Sequence, residues 1–209
     1  DVQTPRSTSE IQFGTFERPT HDNTSWERAQ FEVCAHRFAD LSEPTHGVAL
    51  LDDCKFGHFL KGNVLDLNLL RSPTHPDETA DRGHHRFTYA LLPHEGDFAE
   101  SDVVARAHGL NQPPVVLPGR VECDLPVRIM GDTVVLETLK RAEDGDAHVL
   151  RLYESKGRRA QCTLFLPVDR PVREADIMEE PGEEIPLTNG QAELQFDPFE
   201  IKTLLLERP

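Results

Sequence analysis

This sequence predicts an all-β protein, most simply an antiparallel β-sandwich of two stacked sheets, and three observations predict it. Apolar residues recur with a period of two along most of the chain, the spacing that puts alternate side chains on one face of a strand. The 209 residues include 16 prolines and are only 37% apolar, which suits short strands joined by many turns and not a helical bundle. Clusters of Gly, Pro, Asn and Asp break the alternating runs at short intervals.

Taken in order, Ile11, Phe13 and Thr15 share one face of a first strand that Pro19 ends. After the turn-like His21-Asp22-Asn23, with Trp26 also placed in a turn, Phe31, Val33 and Ala35 repeat the pattern. A short apolar run covers 47–51. Leu65, Leu67 and Leu69 form an inward face, and Phe87, Tyr89 and Leu91 line another strand stopped by Pro93. Later strands are predicted over 133–140, 148–153, 159–166 and 200–206, although Val149 and Leu152 do not alternate strictly. Glu143-Asp144-Gly145-Asp146 reads as a hairpin turn, since Gly145 tolerates the positive φ such a turn needs. One helix is expected over 103–108, capped by Ser101 or Asp102 and terminated by Gly109. The expected organisation is a main β-sandwich region over 1–120, with its short helix near 101–109. Residues 121–209 then supply the remaining strands or a smaller C-terminal β-domain. The Pro-, Glu- and Asp-rich stretch 169–189 reads as a long surface connection.

A net charge of −15 argues against nucleic acid or an anionic membrane as partner, and protonating all 10 histidines would leave the chain negative. No apolar run approaches the roughly 18 residues of a membrane helix, and no signal-peptide pattern opens the chain. It starts without Met, almost directly in a strand pattern, as an excised domain would. Cys34, Cys54, Cys123 and Cys162 form no C-x-x-C pair and read as free thiols of a reducing, cytoplasmic compartment. Cys34 and Cys162 fall in strand-like runs, where a thiol packs as a small hydrophobe. Asn23-Thr24-Ser25 matches a glycosylation sequon, a pattern short enough to arise by chance.

Chemistry-bearing residues are scattered. His84 and His85 are adjacent, so on a strand they would point to opposite faces. His75-Pro76-Asp77 has a ligand-like H-x-D spacing but sits in a Pro-rich loop and reads as turn residues. Asp52-Asp53 reads as a solvated turn. No G-x-S-x-G elbow, P-loop or dinucleotide fingerprint is present, and no nucleophile–base constellation is visible. Arg71 stands apart. It follows Leu69-Leu70 at an expected strand end and precedes a polar loop over 73–83 that carries Thr74, His75, Asp77 and Asp81. A guanidinium there offers directed donors to hydroxyls or a carboxylate.

Several motifs together resemble the C-terminal region of α-mannosidases of glycoside hydrolase family 38, in its cytosolic and bacterial branch. They are Phe13-Gly14-Thr15-Phe16-Glu17-Arg18-Pro19-Thr20, Asn23-Thr24-Ser25-Trp26, Gly47-Val48-Ala49-Leu50-Leu51, Cys54-Lys55-Phe56-Gly57, Arg151-Leu152-Tyr153-Glu154 and Pro198-Phe199-Glu200-Ile201-Lys202-Thr203-Leu204, with the run from Asn63 to Gly96. His58 is a small departure from the family's pattern. The resemblance implies a fold of the galactose-mutarotase-like super-sandwich type. It also implies a parent enzyme that removes terminal α-linked mannose with retention. The nucleophile, the acid/base and a zinc or other divalent ion would then belong to an N-terminal catalytic domain, leaving no catalytic residue, metal ligand or cofactor in this chain, which is not expected to act alone. Arg71 matches an arginine lent to the rim of the sugar site and is the one substrate-binding residue carried over. The partners implied are that catalytic domain and a mannose-containing oligosaccharide; homo-oligomerisation is left open. Two other readings compete: a carbohydrate-binding module, for which one tryptophan and two tyrosines are a thin aromatic supply, and a structural or oligomerising domain, which predicts an exposed apolar patch.

Overall fold

A computed structural model of the chain describes residues 1–120, 127–166 and 170–207, so Cys123 and the start of the expected 121–209 region lie outside the described residues. The described chain is nearly all β and antiparallel. It forms two compact units, Asp1–Val116 and Leu117–Pro209.

The first unit runs β1 (Arg6–Ile11), β2 (Gly14–Pro19), α1 (Ser25–Ala29), β3 (Val33–Cys34), β4 (Phe38–Glu43), β5 (His46–Asp52), β6 (Gly57–Lys61), β7 (Val64–Leu67), β8 (Tyr89–Glu95) and α2 (Val103–Asn111). Its five-stranded sheet has the order β2-β1-β4-β5-β8, and a three-stranded sheet has the order β3-β6-β7. Ala39 of β4 packs with Ala35, Leu60, Val33 and Leu65, so the small sheet covers that face of the large one. Phe38, one residue earlier and so on the opposite face, stacks on Phe98 with ring centroids 5.5 Å apart. Beyond Phe98, α2 buries Val103, Val104 and Ala107.

Local chemistry corrects several expectations here. Ile11, Phe13 and Thr15 do not share a strand. Ile11 pairs with Gly14 across a tight turn in which Phe13 takes φ 55°. Trp26 sits in α1, not in a turn, because Thr24 and Glu27 form a capping box: the Thr24 hydroxyl accepts from Glu27 N and the Glu27 carboxylate from Thr24 N. The strand expected around Phe31, Val33 and Ala35 shrinks to Val33–Cys34, leaving Phe31 and Cys34 exposed. The long helix continues through Gly109 to Asn111, whose side chain donates to the backbone carbonyls of Ala107 and Asp52. Asp102 makes no capping bond, and Val103 N instead reaches the Ser101 hydroxyl at 3.4 Å.

The register of β8 is offset by one residue from the expectation. Ala90, Leu92 and His94 face inward, while Tyr89 and Leu91 are exposed, and Pro93 lies within the strand instead of stopping it. Alternation cannot choose a face when both carry apolar residues, and one residue of slip inverts every side chain. Pro93 is tolerated because, among the described residues, β8 pairs only with β5 and forms a sheet edge.

The second unit comprises β9 (Arg128–Met130), β10 (Val134–Arg141), β11 (His148–Glu154), β12 (Ala160–Phe165), β13 (Val172–Ala175), β14 (Pro181–Ile185), β15 (Gln191–Phe196) and β16 (Ile201–Leu206). A sheet of order β10-β11-β16-β13-β14 faces one of order β15-β12-β9. Their shared core includes Leu150, Leu152, Leu204 and Leu206 against Cys162, Leu164, Leu194 and Phe196. Cys162 packs there as the small hydrophobe expected, and burial pushes its thiol up to about 11. β11 is buried on both faces, which explains why Val149 and Leu152 break alternation. The hairpin at residues 143–146 is present, with Gly145 at φ 78°. The described part of 169–189 is not a mere connection. It contains β13 and β14, with β13 paired between β16 and β14. Its Glu174, Glu183 and Glu184 are exposed and mask a strand whose Val172 is fully buried, while the Glu179 side chain is only 9% exposed and pairs with Lys140.

Candidate functional site

Arg71 lies four residues beyond the end of β7, exposed at the start of a loop that reaches β8. It is therefore on the loop and not at the strand end. Among the described residues it has no hydrogen bond or ion pair. The loop is shaped by its own polar groups. Ser72 at φ 46° donates its backbone N–H to the Asp81 carboxylate at 2.8 Å, and His85 Nε2 lies 2.7 Å from the Asp81 carbonyl oxygen. Asp77 accepts from both the backbone N–H and the hydroxyl of Thr79, at 2.8 and 2.7 Å, which holds its carboxyl below the usual range. The H-x-D pair thus spends its aspartate on a turn. Among the described residues no three His, Cys, Asp or Glu side chains converge as metal ligands.

A surface recess of about 480 Å³ is lined by Glu32, His58, Phe59, Asp66, Asn68 and Leu70 among others, ending one residue short of Arg71 in the chain. β6 and β7 build it: Phe59 stands opposite Asp66, and Asn68 N donates to Gly57 O. A recess with carboxylates, an amide and an aromatic edge can hydrogen-bond a polyhydroxylated ligand.

Asp52 departs from the solvated turn expected of it. It is 1% exposed, and one carboxylate oxygen accepts from Cys54 N and Lys55 N at 3.2 and 2.6 Å. The other lies 3.4 Å from His58 Nε2, which is itself fully buried. Asp53 does lie on the surface, capping Thr88 N. The His58 position thus belongs to the interior, whatever departure it marks in the sequence.

Three further polar clusters escaped the sequence because each joins distant segments. Asp40 accepts from the Ser42 hydroxyl at 2.7 Å and lies 2.8 Å from His94 Nε2. Burial raises the Asp40 carboxyl, opposed by its bonds to His94 and Ser42. Serine, histidine and aspartate meet there, but the serine binds the aspartate and not the imidazole, so no base activates it. Gly47 lies between Ser42 and His94 in the register, and a Cβ there would sit 2.4 Å from the His94 ring. In the second cluster, Glu10 clamps the Arg37 guanidinium and backbone, and Arg37 Nη1 lies 3.1 Å from His108 Nδ1. Burial, then the Arg37 charge, holds His108 down at about 4. In the third, the buried Glu154 carboxylate accepts four backbone N–H groups, from Lys156, Gly157, Arg158 and Phe199. A glutamate at a strand end followed by Ser-Lys-Gly was the only local hint of that cage.

Comparison with known proteins accords with this geometry. The family model "Glycosyl hydrolases family 38 C-terminal domain" matches residues 1–79, and "Glycosyl hydrolases family 38 C-terminal beta sandwich domain" matches residues 133–204. Alpha-mannosidase 2C1 of Mus musculus is 45% identical over 98% of this chain, which covers 21% of that protein. Alpha-mannosidase G of Dictyostelium discoideum is 38% identical over 97% of the chain and is likewise covered over 20% of its length. The crystal structure of an alpha-mannosidase from Enterococcus faecalis V583 superposes over 99% of this chain and 24% of its own with a TM-score of 0.77, and at 16% identity that likeness speaks for the fold alone. The chain therefore spans about a fifth of the length of the curated relatives it matches. Two models of one family and near-full-length similarity in sequence lead to one conclusion: the chain belongs to glycosyl hydrolase family 38, as its C-terminal region.

Proposed function

We propose that this chain is the C-terminal part of a cytoplasmic α-mannosidase, that it supports a catalytic segment outside the chain, and that it lends Arg71 to that segment's sugar site. The observation that carries the reading is Arg71 itself: an exposed guanidinium without a partner among the described residues, on a loop whose form is fixed by its own hydrogen bonds. Leaving a charge unpaired on an ordered loop gives the fold nothing, but it suits a group whose partner arrives from elsewhere. In this reading a carboxylate of the catalytic segment attacks the anomeric carbon of a terminal mannose, and water then releases the glycosyl-enzyme with net retention. Arg71 donates to a sugar hydroxyl or to a catalytic carboxylate and contributes orientation, not bond making. The residues described here do not fit a zinc or other divalent ion. Such an ion belongs to the catalytic segment, and no step runs through a metal held by this chain.

Arg71→Ala in the full-length enzyme tests this. Losing a charge-assisted hydrogen bond of about 1.5–3 kcal/mol should lower kcat/KM for an aryl α-mannoside by roughly 10- to 150-fold. The unfolding midpoint should not move, because the side chain is exposed and makes no bond in the fold. Unchanged kinetics would refute the role.

A further inference from the structure

The face of the large sheet that packs on the small one is covered only in part. The register of β5 and β8 sets Leu91 beside Leu50 and Tyr89 beside Asp52. Opposed residues of an antiparallel pair stand on the same face, about 5 Å apart. Yet Leu50 is 5% and Asp52 1% exposed, whereas Leu91 is 66% and Tyr89 54% exposed. The cover therefore ends between two neighbouring strands. What it leaves bare is apolar: Leu91, Tyr89 with Phe87 stacked on it at 6.5 Å, and Pro93 at the next outward position. Edge strands that face water usually guard themselves with charges, because an apolar edge invites foreign pairing. Here the outward row carries no charge until Glu95.

We propose that this row, Tyr89, Leu91 and Pro93, is the seat of a segment of the same polypeptide that lies outside this chain. The inference rests on the reading of the chain as one part of a longer α-mannosidase and names the surface through which the parts join. Three observations favour that occupant. This chain covers only 21% of the length of its 45%-identical relative, so a homologous protein has ample further chain to lay there. A net charge of −15 disfavours a second copy, since two such surfaces repel on approach, whereas a tethered segment does not depend on diffusional encounter. Finally, the loop that begins at Arg71 runs directly into β8, so its far end is anchored at this row.

Hydroxyl-radical footprinting of the full-length enzyme tests the proposal, with native labelling of each residue measured against its rate in urea. Tyr89 and Leu91 should be protected to the level of Leu50, while Trp26, 82% exposed, labels freely as an internal control. A row open to water would keep about half its unfolded rate, as its 54% and 66% exposures require, and that result overturns the proposal. Protection that fades on dilution would assign the row to a second copy and overturn it equally. Leu91→Lys should abolish the protection at Tyr89 in the full-length protein. Persistence of that protection would count against the row as the seat. Kinetics of Arg71→Ala separate the two claims: lost turnover with an unprotected row leaves the sugar-site reading standing and removes only this surface.

Discussion

Glu154→Gln replaces one atom of the second unit's polar cage, and its effect can be worked out bond by bond. Glu154 Oε1 accepts from Lys156 N at 2.9 Å, while Oε2 accepts from Gly157, Arg158 and Phe199 N at 2.7, 3.1 and 3.1 Å. The amide will turn its oxygen toward the three donors and its NH2 toward Lys156 N. That leaves one buried donor facing another and three bonds without charge assistance. Each lost increment is worth about 1 kcal/mol, giving a gross loss of about 4 kcal/mol. Relief from burying a charge offsets part of this, so the expected net loss is about 2–3 kcal/mol. Native-state hydrogen exchange reads the change unit by unit. Amides of β11, β12 and β16 should exchange about 30- to 150-fold faster, with those of β1, β4 and β5 unchanged. Exchange within twofold of wild type across β11 and β16 would show that the carboxylate is not what holds the turn at 155–159 against the start of β16.

The remaining predictions concern the first unit. His108 should make stability depend on pH: its folded value, about 4, lies below the 6.5 of a free imidazole. Between pH 6.5 and 4 the unfolded chain then binds more protons, so stability present above 6.5 is lost as the pH falls. After discounting for partial exposure, the loss should be about 2 kcal/mol, seen in urea titrations at several pH values and absent in His108→Asn. Gly47→Ala would drive a methyl to within 2.5 Å of His94 and Ser42. It should destabilise the first unit by about 3 kcal/mol, and a melting temperature equal to wild type would contradict the contact.

Period-two alternation located β5, β7, β10, β11, β12 and β16, because burial on one face leaves that trace in composition, while β4, β6, β9 and β15 were not expected. It misled where the trace is ambiguous. Phe87, Tyr89 and Leu91 alternate as cleanly as Leu65, Leu67 and Leu69, yet Tyr89 and Leu91 face water, since periodicity records spacing and not which face is covered. β13 was hidden because Val172, set between Pro171 and Arg173, is its one fully buried residue. The polar clusters were illegible for a different reason: Glu10 meets Arg37, Asp40 meets His94, and Glu154 meets Phe199 only through tertiary folding. Arg71 entered through family likeness; its freedom from partners could not be read from the residues around it.

The bonds that Asp81 and His85 make within the 71–88 loop bear on affinity as well as shape. A long loop that had to organise itself around a ligand would subtract its lost backbone freedom from every binding event, about 1–2 kcal/mol for each residue fixed. Here that loss is taken once, when the chain folds. In the proposed role, whatever meets Arg71 meets a guanidinium carried on a backbone already held in place, so a substitution at Asp81, which need not touch a ligand, would weaken binding through disorder and not through lost contact.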